Sequence, residues 1–164
     1  MVGVVLLVLI GISLVASRSD ARDRIIPNGA CLLVAVCGLA FQAVRTWMPH
    51  ALELLVYDAA LAYRLPNPLL CVACAAVVLA LGVLVELIAR KVRGERGMGM
   101  GDVKFVAAWT SALGWWALPG LAAACLFGAV HALAHREKTF AMAPWLTAAY
   151  AVTGVALTWV GYVS

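Results

Sequence analysis

Two aspartates stand where a nearly uncharged chain can least easily carry them. Asp102 follows Gly99 and Gly101 and precedes an apolar run that begins at Val103. Asp20 follows the first apolar segment and opens the stretch Asp20-Ala-Arg-Asp-Arg-Ile-Ile-Pro27-Asn28. Acids at a membrane boundary are costly and are usually kept for chemistry. Two carboxylates on one membrane face can share a proton. One then acts as base on a water, and the other protonates the scissile carbonyl or the leaving nitrogen. That is aspartyl proteolysis, which needs no metal and no cofactor. Taken singly, each acid has a plainer role as a helix cap or an ion-pair partner. For Asp20 the nearby Arg18, Arg22 and Arg24 are the obvious partners.

Local sequence positions both acids. Pro27 disfavours helix at Ile26 and can begin the next helix, so it bounds a short loop that keeps Asp20 near the membrane surface. Gly99 and Gly101 allow close backbone approach and would admit an extended peptide beside Asp102.

The elements that hold these residues are membrane spans. Of 164 residues, 65% are hydrophobic and 12% charged, where a soluble domain carries about 25% charged residues. The mean hydropathy is +1.00. The chain is therefore expected to be an all-α polytopic membrane protein, a single membrane-embedded domain over 1–164. A span takes about 20 apolar residues. Six fit, at 1–17, 29–44, 68–88, 103–116, 118–134 and 142–162. The segment 49–65 mixes leucines with Glu53, Asp58 and Arg64 and reads as an interfacial helix. The first segment lacks a basic leader region and a cleavage site, so it reads as a retained helix.

The net charge of +4 does not point to nucleic acid, because the basic residues fall in short loops between apolar runs. With six spans, one side carries Arg18, Arg22, Arg24, Arg90, Lys91, Arg93, Arg96, Lys104, Arg136 and Lys138. Only Arg45 and Arg64 fall on the other. The basic side is then cytoplasmic. Asp20 and Asp102 both face it, and both termini face outward. Seven spans would put the two acids on opposite faces.

Other candidates add less. Cys31, Cys37, Cys71, Cys74 and Cys125 all lie in apolar segments. The pair Cys71-Val-Ala-Cys74 lacks a second pair or a nearby histidine for a metal site and reads as helix packing. His131 and His135 lie one helical turn apart with no third ligand evident, so no metal is expected. Glu86, near the end of the third span, reads as an acid paired with Arg90 one turn on. Trp47, Trp115, Trp116 and Trp159 lie near span ends, as in an aromatic belt.

At this point the sequence resembles a known family. Gly99-Met-Gly101-Asp102-Val-Lys104 is similar to the GxGD-x-K signature of type IV prepilin peptidases, whose GxGD element is shared with presenilin-type proteases. Asp20 with Ile26-Pro27-Asn28 resembles their other motif. Ala143-Pro144-Trp145-Leu146 resembles their last-helix segment, usually Gly-Pro-Phe-Leu. The resemblance makes Asp20 and Asp102 the catalytic pair. Gly99, Gly101, Lys104, Pro27 and Asn28 become supporting residues, and Asp23 the rival for the first position. Lys104 also reads as a snorkelling cation.

The resemblance further implies a multi-pass protein of the bacterial inner membrane with its site facing the cytoplasm. Its substrates would be prepilins and pseudopilins, each a short basic leader followed by an apolar helix that sits in the bilayer. The leader would be read by acids such as Asp23, Glu95 or Glu137, or through a small glycine. Larger members carry paired CxxC motifs and an N-methyltransferase activity. Nothing here corresponds to those motifs, so the chain looks like the short form that accompanies Flp/Tad pili, a peptidase without methylation. Two other classes remain open on the residues alone: a small proton-coupled transporter and a non-catalytic pilus-assembly subunit.

Overall fold

The computed structural model describes residues 3–48, 50, 56–93, 99–135 and 141–163. Glu95, Gly97, Met98, Arg96, Arg136, Glu137, Lys138 and the leading part of the 49–65 segment lie outside the described residues. Among the described residues the elements are all helical. They are α1 (Val4–Asp23), α2 (Asn28–Trp47), α3 (Val56–Arg64), α4 (Pro68–Arg93) and α5 (Met100–Leu113), a 3-10 turn (Gly114–Trp116), α6 (Ala117–His135) and α7 (Ala143–Val163).

Among the described residues, five helical runs are long and apolar enough to cross a membrane. The chain is thus an all-α multi-pass membrane protein, as its composition requires. One of the five runs spans 36 residues, Met100–His135. It contains what the hydropathy pattern divides into a fourth and a fifth span. A straight helix of that length would measure about 54 Å. Instead its two ends meet the same neighbour. Asp102 lies within electrostatic range of Asp20, which hydrogen-bonds the first residue of α7. The His131 ring lies 5.4 Å from that of Trp145, in the first turn of α7. The backbone therefore doubles back between α5 and α6.

Gly114 makes the reversal. Its φ of 61° and ψ of −140° fall near a region that only glycine occupies comfortably. A Cβ there would lie 2.6 Å from Cγ of Pro66 and 2.9 Å from Sγ of Cys71.

Helix α5 is the hub. From Val103 to Leu113 every residue except Lys104 is buried, with Phe105 and Trp109 fully so. It wedges between α2 and α4, where glycines allow close packing. A Cβ at Gly38 would lie 2.5 Å from Ser111 Oγ, and one at Gly82 2.5 Å from Val103 Cγ1. The outer surface is apolar, as a lipid-facing surface must be. Leu81, Leu84 and Val85 of α4 are all more than half exposed.

The described part of the 49–65 segment, α3, does not lie free on a surface. Leu61 and Leu65 are buried, and α3 packs against α7 and α1. Arg45 of α2 explains the docking. Its guanidinium donates to the carbonyls of Ala62 (2.9 Å), Leu65 (3.2 Å) and Pro66 (3.1 Å). Those carbonyls belong to the end of α3, which has no further turn to satisfy them.

Candidate active site

The polar run after the first apolar segment predicts a loop at Asp20. Asp20 lies instead in the last turn of α1, and it is buried, with 6% of its surface exposed. The reason is local. Nothing between Ser17 and Asp23 breaks a helix, so α1 continues one and a half turns past its apolar stretch. It ends where Arg24 takes a left-handed conformation (φ 55°, ψ 32°) and its N–H donates to the Asp20 carbonyl at 2.9 Å. Pro27 then lets α2 start directly.

The Asp20 side chain reaches across the bundle. Its Oδ2 accepts a hydrogen bond from the backbone N–H of Ala143, at 2.9 Å. Ala143 opens α7, and its N–H would otherwise have no intrahelical partner. The positive end of the α7 dipole favours a carboxylate there. At the C-terminal end of its own helix the same charge is disfavoured, so α7 supplies what α1 cannot.

Asp102 sits in the first turn of α5, at the same end of the bundle. Its carboxylate accepts from the Gly99 backbone N–H and is close enough to Asp20 for the two charges to repel. Its Oδ1 is buried and has no hydrogen-bond partner among the described residues. The glycines around it stand close to their neighbours. A Cβ at Gly99 would lie 2.9 Å from Asp102 Oδ2, and one at Gly101 would lie 3.1 Å from Cβ of Ile26. Gly101 is thus the contact that seats the start of α5 against the 24–27 connection.

The supporting residues also meet. Lys104 Nζ donates to Asn28 Oδ1 at 3.0 Å. The carbonyl of Pro27 accepts from the N–H groups of Ala30 and Cys31, closing the first turn of α2. Asp23 is placed elsewhere. It is exposed and lies 3.9 Å from Nε of Arg22, a solvated ion pair of small worth. Glu86 is fully buried and takes a hydrogen bond from Arg90 Nε at 2.7 Å, the one-turn pair expected from its spacing. The rings of His131 and His135 stack at 4.2 Å. The five cysteines are unpaired thiols within helices.

A buried polar network below Asp20 was not anticipated. Ser17 Oγ donates to the Ser13 carbonyl at 2.8 Å and lies 2.8 Å from Thr147 Oγ1. Trp109 Nε1 donates to Ser13 Oγ at 3.0 Å. The signal was present in the sequence. Ser13, Ser17 and Asp20 are spaced by four and three residues, which puts them on one helical stripe.

A cleft of about 530 Å³ opens to one side of α5. Ala35 of α2, Ala75 and Ala76 of α4, and Ala107 and Ala108 of α5 form much of its wall. Asn28 and Lys104 also line it, which brings one part of the cleft to within two residues of Asp102.

Comparison with known proteins identifies the family. The Type IV leader peptidase family matches residues 7–133. A "Prepilin leader peptidase/N-methyltransferase" from Dickeya chrysanthemi is 30% identical over 149 residues, which is 85% of this chain and 46% of the relative. The chain therefore spans about half the length of that relative. No solved structure matches. The match over residues 7–133 takes in both aspartates and the helices that carry them, and the chain belongs to the Type IV leader peptidase family.

Proposed function

We propose that this protein is a membrane aspartyl endopeptidase that removes the leader peptide of prepilins of the Flp/Tad type. The observation that carries this reading is the convergence of Asp20 and Asp102 at one end of the bundle, close enough to repel. Such a pair holds one proton more easily than none. The ionised carboxylate takes a proton from a water as its oxygen attacks the scissile carbonyl carbon. The protonated carboxyl gives its proton to the carbonyl oxygen. When the tetrahedral intermediate collapses, the C–N bond breaks and a proton passes to the leaving nitrogen. The pair ends with the same proton count.

The proposal includes six crossings, with α5 and α6 counted separately because the chain reverses at Gly114. The excess of lysine and arginine at the Asp20 end then sets that end in the cytoplasm. The apolar part of a prepilin would lie in the cleft beside α5. Its alanines let a helix backbone approach closely, and its Asn28–Lys104 region brings the scissile bond to Asp102.

The test is co-expression with a Flp-type prepilin, followed by a gel-shift assay and N-terminal sequencing of the product. Cleavage by the wild type, with none by Asp20→Asn or Asp102→Asn, is the expected result. Full processing by either variant would refute the pair. A transporter or an assembly subunit would show no cleavage at all.

A further inference from the structure

We propose that Ser17 and Thr147 form a positioning clamp that sets where the Asp20 carboxylate stands relative to Asp102. The inference rests on the assignment of those two acids as the reacting pair. Asp20 is held by the Ala143 N–H, a main-chain group whose position depends wholly on where α7 sits against α1. One turn deeper the same two helices are joined again. Ser17 precedes Asp20 by three residues and Thr147 follows Ala143 by four, so the two contacts stack along facing stripes.

The two hydroxyls share their partners. Ser17 Oγ and Thr147 Oγ1 lie 2.8 Å apart, and either can donate to the other. The Ser13 carbonyl accepts from both sides, from Ser17 Oγ at 2.8 Å and from Thr147 Oγ1 at 3.4 Å. Trp109, two turns beyond Asp102 on α5, donates to Ser13 Oγ. The network thus ties together α1, α5 and α7, whose ends carry Asp20, Asp102 and the Ala143 N–H. Its side chains are almost wholly buried: Ser13 and Trp109 are 0% exposed, Thr147 3% and Ser17 7%.

Packing alone does not require these hydroxyls, since valine fills the space of threonine. What the hydroxyls add is registry. Apolar helix faces can slide by fractions of an ångström at little cost, whereas a hydrogen-bonded pair fixes their axial offset. Reaction geometry is sensitive on that scale; a displacement of about 1 Å can cost on the order of a hundredfold in rate. The clamp is a set of positioning residues, and none of them touches substrate.

The test uses the full-length protein in nanodiscs with a purified prepilin substrate. Thr147→Val is expected to lower kcat by about tenfold with KM within about twofold of wild type. Thr147→Ser, which keeps the hydroxyl, is expected to restore wild-type kcat. Ser17→Ala should match Thr147→Val, and the double variant should be no worse than either single one. If Thr147→Val does not accumulate in the membrane, Ser17→Ala is read in the same way. Wild-type kcat in the accumulating variant overturns the clamp, as does an effect on KM alone or a Thr147→Ser as impaired as Thr147→Val. Asp20→Asn serves as the control. If it is inactive while Thr147→Val is fully active, the clamp alone fails; if it is active, the assignment of the acids fails and takes the clamp with it.

Discussion

Asp20 and Ala143 lie 123 residues apart in sequence, yet the carboxylate of one accepts the backbone N–H of the other at 2.9 Å. The contact joins the end of the first long helix to the start of the last. It gives Asp20 a structural partner as well as a place beside Asp102. A loss of activity on mutating Asp20 must therefore be separated from a loss of folding, and the amide substitution does this. Asn keeps an oxygen that can accept from Ala143 but cannot ionise. Asp20→Asn and Asp102→Asn are expected to insert normally and to lose cleavage by a factor of at least about a thousand, in keeping with the non-additive loss seen when one member of a concerted pair is removed. Asp23→Asn should retain most activity, since its partner is an exposed arginine. A gel-shift time course on membranes with matched protein levels decides among the three.

Cleavage should depend on pH with a bell-shaped profile. At low pH the carboxylate that accepts the proton of water becomes protonated, so the rate falls as pH falls. At high pH the carboxyl that protonates the substrate loses its proton, so the rate falls again as pH rises. The two limbs belong to the pair and to neither residue alone. Initial rates across pH, on a substrate without titrating groups near the cleavage site, check the shape. A flat profile between the limbs of unfolding would count against two coupled acids.

Gly114→Ala should destabilise the protein by about 1–3 kcal/mol from backbone strain alone. The clash with Pro66 and Cys71 adds to this. Gly29→Ala is the matching control, because a Cβ there meets nothing within 4 Å. Thermal unfolding of both variants in detergent reads the difference. Equal midpoints would show that the turn after α5 is softer than its dihedrals imply.

The tie between Lys104 and Asn28 is exposed, so it should be worth less than about 1 kcal/mol. Lys104→Met and Asn28→Ala are each expected to leave folding intact. If the tie is their shared role, the double variant should lose no more activity than the worse single one. Additive losses would show that the two residues act separately.

Filling the cleft offers a test independent of the acids. Ala76→Trp places a large ring in the wall opposite α5. It should raise KM for prepilin several-fold with a smaller change in kcat. A short soluble peptide spanning the cleavage site, which lacks the apolar helix, should be cut at an unchanged rate. Unaltered prepilin kinetics would show that the apolar segment binds elsewhere.

The sequence made the membrane architecture legible because hydropathy and charge act at long wavelength. The ends of α2, α6 and α7 fall within three residues of their expected positions, and α4 starts where expected but runs five residues further. Glu86 and Arg90 pair as their spacing implies. The errors lie where apolarity ceases to mark helix. Residues Arg18–Asp23 are mostly polar and read as loop, yet nothing in them stops α1, and Asp20 is helical and buried as a result. The break between α5 and α6 rests on one backbone torsion at Gly114, a property that no composition reveals. The packing of α3 depends on Arg45 reaching carbonyls 17 to 21 residues away, which local patterns do not encode. The expectation that both acids share one face rests on a count of six crossings, which belongs to the proposal. The partner of Asp20 on α7 needed tertiary structure.

Because the group that holds Asp20 is an amide hydrogen of the main chain, it is indifferent to the identity of the side chain at position 143. Yet Ala143 is fully buried, so only a small side chain keeps α7 and its amide where the acid needs them. Proline suits the opening of a helix but brings no hydrogen to donate. Ala143→Pro would thus delete the hydrogen that Asp20 accepts.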